Sequence, residues 1–513
     1  MIWLAGPVQF GTLVGLADLF QFRLDPALDM PLYRQLAGLI AERVRGGALQ
    51  SGDRLPPTRE LAGRLGLNRT TVSAAYTVLE ELGLIEGRVG RGSFVAHGAN
   101  DAHAPRADWE AILPPVNSEF APSTAIPGSA PIEISFASSR PARDAFPLAQ
   151  FRRLARQVIE SPDAAEILQL GSPHGYLPLR RYLLAQAVEA GIARSGDDLL
   201  VTNGCQQALD LLAHLFASEP VGIALEDPVY HGLLRVFSRS RASLIPVPVD
   251  HSGIDVAALE EVLDRYRPRL LIVTPSFQNP TGATLPLDRR KRIVQLVQRF
   301  GVVLVENDIY SELRYHGKPL PTLKALDESG NTVLLRSYSK ISFPGLRVGW
   351  VIAPRPVIAR LADAKQVSDL HSDQLSQAVL LRFAESGELA LHLARTRIAG
   401  SERLHAALRA CTANLPAGAS FTRPEGGMSL WVELPPPLTA ETLLRRVQER
   451  GVDFLPGRYF SVRHAHSRAL RLSFGGLSPE EITRGIEIIG AAAKQESLSG
   501  LADAAVEPLA AVV

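Results

Sequence analysis

The chain runs to 513 residues, long enough for two or three domains, and its 46% apolar and 21% charged content is that of a folded globular protein rather than a disordered or fibrous one. A formal net charge of +1 excludes a global field that would draw it to a polyanion, so any contact with nucleic acid has to come from a local patch. Two cysteines, Cys205 and Cys411, are too few for a disulfide framework and suit a reducing, cytoplasmic compartment.

Residues 1–18 are apolar, but no basic residue precedes the run and Gly6, Pro7 and Gly11 interrupt it. That makes a poor secretory signal and a poor membrane span. The stretch is expected to be an N-terminal extension. No later stretch is long and apolar enough to cross a bilayer, so no membrane partner is expected.

Residues 19–98 predict a small helical unit with a hairpin. After Pro31, Leu32, Leu36, Ile40 and Val44 recur at four-residue spacing, one stripe of a first helix that Gly46-Gly47 ends. Pro56-Pro57 open a second helix carrying Leu61 and Leu65, which stops at Gly66. Asn68 is placed to cap a third, whose apolar face is Val72, Ala75, Leu79 and Leu82. Only Gly66 and Leu67 separate the second helix from that cap, the short turn of a helix-turn-helix. The third helix opens with Arg69-Thr70-Thr71 away from its apolar stripe, where such motifs reach base edges. A hairpin follows, Leu84-Ile85-Glu86 and Ser93-Phe94-Val95, with Arg88 and Arg91 among three glycines at its tip. A protein-binding helical domain would share this spacing.

The segments Pro31-Leu32-Tyr33-Arg34-Gln35-Leu36, Leu55-Pro56-Pro57-Thr58-Arg59-Glu60-Leu61-Ala62, Asn68-Arg69-Thr70-Thr71-Val72-Ser73 and Gly90-Arg91-Gly92-Ser93-Phe94-Val95 together resemble the GntR-type winged helix. The resemblance implies double-stranded operator DNA as partner, with Arg59, Arg69, Thr70, Thr71 and Gly92 touching it. Pro57 stands where that family often has Ser, which removes one hydroxyl.

Residues 99–131 hold Pro105, Pro114, Pro115, Pro122, Pro127 and Pro131 without any periodicity, the composition of a tether; Trp109 and Ile112-Leu113 are its candidates for local docking.

From 132 to 495 apolar runs alternate with helical segments, which predicts a mostly parallel sheet. Leu199-Leu200-Val201-Thr202 leads to Asn203-Gly204-Cys205-Gln206. Leu270-Leu271-Ile272-Val273 leads to Gln278-Asn279-Pro280. Val302-Val303-Leu304-Val305 leads to Asp308-Ile309-Tyr310, and Val333-Leu334-Leu335 to Ser337-Tyr338-Ser339-Lys340. Ligands of such sheets bind outside the carboxyl ends of the strands, which brings Gly204, Asn279, Asp308 and Lys340 together. Only six of the 54 Lys and Arg residues are lysines, so a Lys at the end of a buried strand points to amine chemistry, which Arg cannot perform. An amine to form an imine, beside hydroxyls and an Arg to hold a phosphate, fits a phosphate-bearing aldehyde: pyridoxal phosphate. Asp308 could face the pyridine nitrogen or merely cap a helix. Tyr310 and Asn279 could bond the ring hydroxyl. Gly204 lets backbone approach, and the amides of Cys205 and Gln206 open a helix suited to phosphate. Tyr230 could stack on the ring or sit in a core.

Asn279-Pro280-Thr281-Gly282, Asp308-Ile309-Tyr310 and Ser337-Tyr338-Ser339-Lys340 with Arg347, at gaps of 29 and 32 residues, resemble the class I/II aminotransferase domain of fold type I. That resemblance implies an imine at Lys340, Asp308 on the ring nitrogen, and phosphate bound by Ser337, Ser339 and Arg347. It also implies that Arg471 grips a substrate carboxylate, the alternative being a surface strand Arg. Leu170 departs from the family, which usually has there a Tyr reaching the neighbouring subunit's phosphate. Residues 496–513 are expected to be a tail.

A winged helix joined through a proline-rich tether to such a domain resembles the MocR subfamily of GntR-type regulators. The fold class implied is multi-domain: a mainly α winged helix-turn-helix plus an α/β transferase of fold type I. The function implied is a regulator sensing pyridoxal phosphate, an amino-compound effector, or both, through aldimine formation, as a head-to-tail homodimer. The alternative is a catalytically active aminotransferase that carries a DNA-binding domain.

Overall fold

The computed structural model describes residues 20, 22–88, 91–97, 109–113 and 131–505. The chain divides into two compact units, Met1–Val116 and Asn117–Val513.

In the first unit, α1 (Leu32–Arg45) starts directly after Pro31, whose fixed φ and missing N–H suit a helix start. Leu36, Ile40 and Val44 are buried and Leu32 half-buried. α2 (Thr58–Leu65) starts after Pro57 in the same way. It ends at Gly66, whose left-handed φ of 65° turns the chain for α3 (Arg69–Glu81). Two sequence expectations need correction here. Asn68 occupies the cap position, but its side chain makes no cap hydrogen bond. Leu82 is 55% exposed, because α3 stops one residue before it and it drops out of the apolar stripe. Strands β1 (Ile85–Arg88) and β2 (Gly92–Val95) pair antiparallel, with Ile85 opposite Val95 and Arg88 opposite Gly92. Leu36, Leu61, Val72, Leu79, Ile85 and Val95 share one core, each such burial worth about 1.5–3 kcal/mol. The Tyr76 hydroxyl donates to the Pro56 carbonyl at 2.7 Å and ties α3 to the start of α2.

In the tether, Trp109 and Ile112 sit on a single helical turn and are 64% and 62% exposed. Among the described residues neither side chain is covered, so the local docking expected of them is not seen there. Val89 and Gly90 of the hairpin tip, most of the tether and residues 1–18 lie outside the described residues.

The second unit opens with β3 (Ile134–Ser135). Its main sheet contains β4 (Asp197–Thr202), β5 (Gly222–Asp227), β6 (Ser243–Asp250), β7 (Gly253–Ile254), β8 (Leu270–Val273), β9 (Val303–Asn307), β10 (Thr332–Ser337) and β11 (Gly349–Pro354). Their order is β4-β11-β10-β9-β8-β5-β6-β7. The central run from β10 to β6 is parallel, while β11 and β7 pair antiparallel with their neighbours. Side chains alternate across it: Leu200, Leu335 and Val351 pack with Leu211 and Leu212 on one face, and Leu199, Val201, Leu334 and Ile352 form a core on the other. With both faces covered, the strands are continuous apolar runs, and β8 is buried at every residue.

A smaller part of the unit holds β12 (Ser420–Phe421), β13 (Ser429–Glu433), β14 (Val452–Asp453), β15 (Leu455–Pro456) and β16 (Ala469–Ser473). They form a four-stranded sheet of order β12-β13-β16-β15, with β14 paired to β3. The final helix, Pro479–Ala505, runs straight through the expected tail boundary at 495, burying Ile482, Ile486 and Ile489. Among the described residues, no helix is long and apolar enough to cross a membrane.

Candidate functional site

The carboxyl ends of the parallel strands surround a cavity of about 470 Å³. Ser337 at the end of β10, and Ser339, Lys340 and Arg347 after it, stand in its wall; Cys205 and Gln206 follow β4; Asn279 and Tyr310 follow β8 and β9. Tyr230 and Arg471 complete the set. Gly204 and Asp308 do not line it. Gly204 lies beneath Arg347, and Asp308 stands in the wall of a second cavity of about 270 Å³.

Lys340 ends a single 3-10 turn, Tyr338–Lys340. Ser337 fixes that turn, its hydroxyl accepting from the Ser339 N–H at 3.0 Å. The Lys340 amine donates to the Ser139 carbonyl and lies 5.8 Å from the centre of the Tyr310 ring. Burial, then Arg471 and Arg347, push it down to about 8. Near neutral pH part of it is therefore free base, as imine formation requires.

The helix Gly204–Phe216 begins at the same cavity, with Cys205 and Gln206 of its first turn in the wall. Gly204 has φ 74°, and a Cβ there would lie 2.4 Å from Nη2 of Arg347. Arg347 donates from Nη1 to the Ser339 hydroxyl at 3.4 Å and from Nη2 to the Asn203 carbonyl at 3.1 Å. The Ser337 and Ser339 hydroxyls are 2.9 Å apart. A helix N-terminus, two hydroxyls and a guanidinium in a space only glycine leaves open make a seat for a dianion. The residues present thus fit a phosphate-bearing cofactor.

Opposite the seat, the Asn279 amide donates to the Tyr310 hydroxyl at 3.4 Å, and Arg471 Nη1 donates to the Asn279 oxygen at 3.2 Å. Arg471 lies on β16 and is 1% exposed, so it is no surface strand residue; burial pushes it down to about 10. It also donates to the Ala137 carbonyl. Tyr230 is half-buried beside the cavity, held close to its own backbone turn because Gly232 has no Cβ. The Cys205 thiol is pushed up to about 12 by burial, which leaves it inert.

Three neighbours escaped sequence reasoning. Ser139 comes from a segment with no strand or helix signal. His231 follows Tyr230 directly, and adjacency to a named residue was the only clue to it. Burial, then Arg471, push it down to about 3, which keeps its ring neutral, and its Nδ1 has no hydrogen-bond partner. Arg336 binds Asp308 through Nε at 3.0 Å and Nη2 at 2.7 Å. Leu170 is 73% exposed and carries no hydroxyl.

In the first unit Arg59, Arg69, Thr70 and Gly92 are exposed and Thr71 is half-buried. Gly92 has φ 105°, and a Cβ there would sit 3.4 Å from Nε of Arg54, an arginine the motif reading passed over. Arg88 is not a free tip charge. It pairs with Glu86 at 2.6 Å and covers the Phe94 ring at 4.9 Å.

Residues 133–489 match the family model for aminotransferase class I and II, and residues 32–95 match bacterial regulatory proteins of the gntR family. The chain is 38% identical over 364 residues to a 2-aminoadipate transaminase of Thermus thermophilus, covering 70% of this chain and 90% of that one. It is 31% identical to the probable rhizopine catabolism regulatory protein MocR of Rhizobium meliloti, over 91% of this chain and 95% of the other. Among solved structures it resembles the alpha-aminoadipate aminotransferase LysN of Thermus thermophilus in complex with N-(5'-phosphopyridoxyl)-L-leucine. The TM-score is 0.69 at 35% identity, over 77% of this chain and 99% of that one.

Proposed function

The chain belongs to the class I and II aminotransferase family and carries a gntR-type head, with MocR-like regulators of the same architecture as homologues; on that premise we propose that it is a regulator whose large unit senses pyridoxal phosphate, an amino compound, or both. The cofactor is pyridoxal phosphate. When bound, it supplies an aldehyde that an amine captures and a ring that draws electrons.

In this reading Lys340 is the capturing amine. Ser337, Ser339, Arg347 and the first amides of the helix Gly204–Phe216 hold the phosphate. Tyr310 and Asn279 orient the ring, Tyr230 covers it, and Asp308, behind the cavity wall but within electrostatic reach of Cys205 in it, serves its nitrogen. Arg471 takes the carboxylate of the effector. The head reads operator DNA through Arg59, Arg69, Thr70, Thr71 and Gly92. The protein acts in the cytoplasm as a dimer, with head-to-tail packing of protomers as the arrangement we favour.

The observation that carries this reading is one chain that matches both the gntR and the aminotransferase families and sets the Lys340 amine in one cavity with Ser337, Ser339 and Arg347. The test is borohydride reduction of the recombinant protein followed by digestion. A pyridoxyl tag on Lys340 is expected; no tag, or a tag on another lysine, sinks the assignment. Titrating an operator fragment with and without an amino compound then tests sensing, and unchanged affinity across a broad panel rejects it.

A second reading is a working aminotransferase, favoured by the similarity to the 2-aminoadipate transaminase. Incubation with amino donors and keto acids separates the two. Rapid multiple turnover supports the enzyme, and a stable adduct supports the sensor.

A further inference from the structure

We propose that Arg336 is a clamp on Asp308 that withholds carboxylate charge from the cofactor's ring nitrogen and so slows loss of the α-proton from a bound amino compound. The inference rests on the proposed function, because it concerns the pyridoxal phosphate that function requires. It deepens that function by saying why the site would retain an amino compound rather than convert it.

The geometry is specific. Arg336 lies on β10, and its Nε and Nη2 both donate to the same oxygen of Asp308, Oδ2, at 3.0 and 2.7 Å. The Ser311 hydroxyl donates to that oxygen as well, at 2.9 Å. Three donors, two of them on a cation, therefore converge on one carboxylate oxygen. The Asp308 side chain is 2% exposed and that of Arg336 23% exposed. The guanidinium reaches Asp308 from the second cavity, where both stand in the wall with Ser311 and Glu312.

A carboxylate serving a pyridine nitrogen stabilises the ring's N–H cation, and that cation makes the ring an electron sink. A carboxylate already neutralised by a guanidinium does so less well, since charge-assisted bonds of this kind are about twice as strong as neutral ones. The step affected is breakage of the α-carbon's C–H bond. With an amino compound bound in place of Lys340, the ring would supply the sink for that bond's electron pair, and the Lys340 amine so released would take the proton. With the ring nitrogen less often protonated, the electron pair is less well accommodated and the C–H bond lasts longer.

Other charged groups act on this pair. Glu306, fully buried and pushed up to about 7 by burial and then by Asp308, accepts from the Leu323 and Lys324 N–H groups at 2.8 Å each. Arg290 acts on Glu306 and Asp308, and Glu312 acts on Arg336. Cys205 feels Asp308 from the first cavity. These act at longer range, whereas Arg336 and Ser311 hydrogen-bond the carboxylate directly.

The test compares wild type with Arg336→Gln, which keeps most of the shape, and Arg336→Lys, which keeps the charge. Each is loaded with pyridoxal phosphate labelled with nitrogen-15 in the ring, and the nitrogen's protonation midpoint is read by NMR. In Arg336→Gln the midpoint is expected about one pH unit higher, a tenfold gain in proton affinity, with Arg336→Lys in between. Exchange of the α-hydrogen of a bound amino acid into deuterated water is expected about tenfold faster in Arg336→Gln.

A third readout uses the protein without cofactor. Removing the guanidinium leaves the buried Asp308 carboxylate without its cationic partner, so cofactor-free Arg336→Gln is expected to melt below wild type, with Arg336→Lys in between; equal melting temperatures would show that the pair does not hold in solution. A midpoint and an exchange rate within twofold of wild type overturn the clamp even though the cofactor binds. A wild-type protein that takes up no cofactor overturns both the clamp and the sensing function.

Discussion

At the residue scale the site depends on one amine. Lys340 is held at about 8 by burial and by two arginines, well below the range of an exposed lysine. Only the free base attacks an aldehyde, so capture of pyridoxal phosphate by the stripped protein should accelerate about tenfold per pH unit in acid and level off near pH 8. Stopped-flow absorbance measures this directly, and a rate still climbing towards pH 10 would contradict it. Lys340→Ala should give a folded protein with no reducible imine. Leu170 makes a gentler prediction. If this exposed residue faces the neighbouring protomer's phosphate, Leu170→Tyr adds a hydrogen bond worth about 0.5–1.5 kcal/mol and slows cofactor release several-fold. An unchanged release rate would mean that the residue does not reach the partner's site.

At the element scale, the proposed roles of α3 and the hairpin divide the labour of the first unit. Arg69 opens α3 with an exposed side chain, whereas Arg88 is held by Glu86 and stacked on Phe94. Arg69→Ala should therefore cost about 1–3 kcal/mol of operator affinity and relax sequence discrimination. Arg88→Ala should cost little on DNA. Anisotropy titrations over a salt series distinguish the two, and equal losses would overturn the placement of α3. The sequence made the strands, helices and motif glycines legible because each follows from a period, a breaker or a short spacing. Lys340, Asn279 and Tyr310 were legible because strand ends converge. Arg336 was not, because a strand residue just before a named serine gives no hint of which face its side chain takes. Asp308 was placed at its strand end, but the turn of its carboxylate towards Arg336 depends on a partner across the sheet. Leu82 and Arg88 failed for a similar reason: one residue of helix length, or one nearby carboxylate, decides where a side chain goes.

At the scale of the whole molecule, the proposed function requires thermodynamic linkage. A DNA-binding head and a large unit binding an amino compound, as proposed, would influence each other only if the ligand prefers one state of the chain. The difference is then a coupling free energy, of about 1–3 kcal/mol in systems of this kind, or about 5–150-fold in affinity. Linkage is reciprocal, which gives the prediction its edge. If the effector shifts operator affinity by some factor, saturating operator DNA must shift effector affinity by the same factor. Both are measurable on the full-length protein: anisotropy of labelled DNA with and without effector, and cofactor absorbance titrated with effector, with and without DNA. Equal factors are expected for wild type. Arg471→Ala should remove both shifts together, since it takes the proposed carboxylate partner from the cavity and changes no residue of the head. Two unequal factors at equilibrium would show that the observed response is not binding to this cavity, and a catalytic turnover that consumes the compound becomes the reading to pursue.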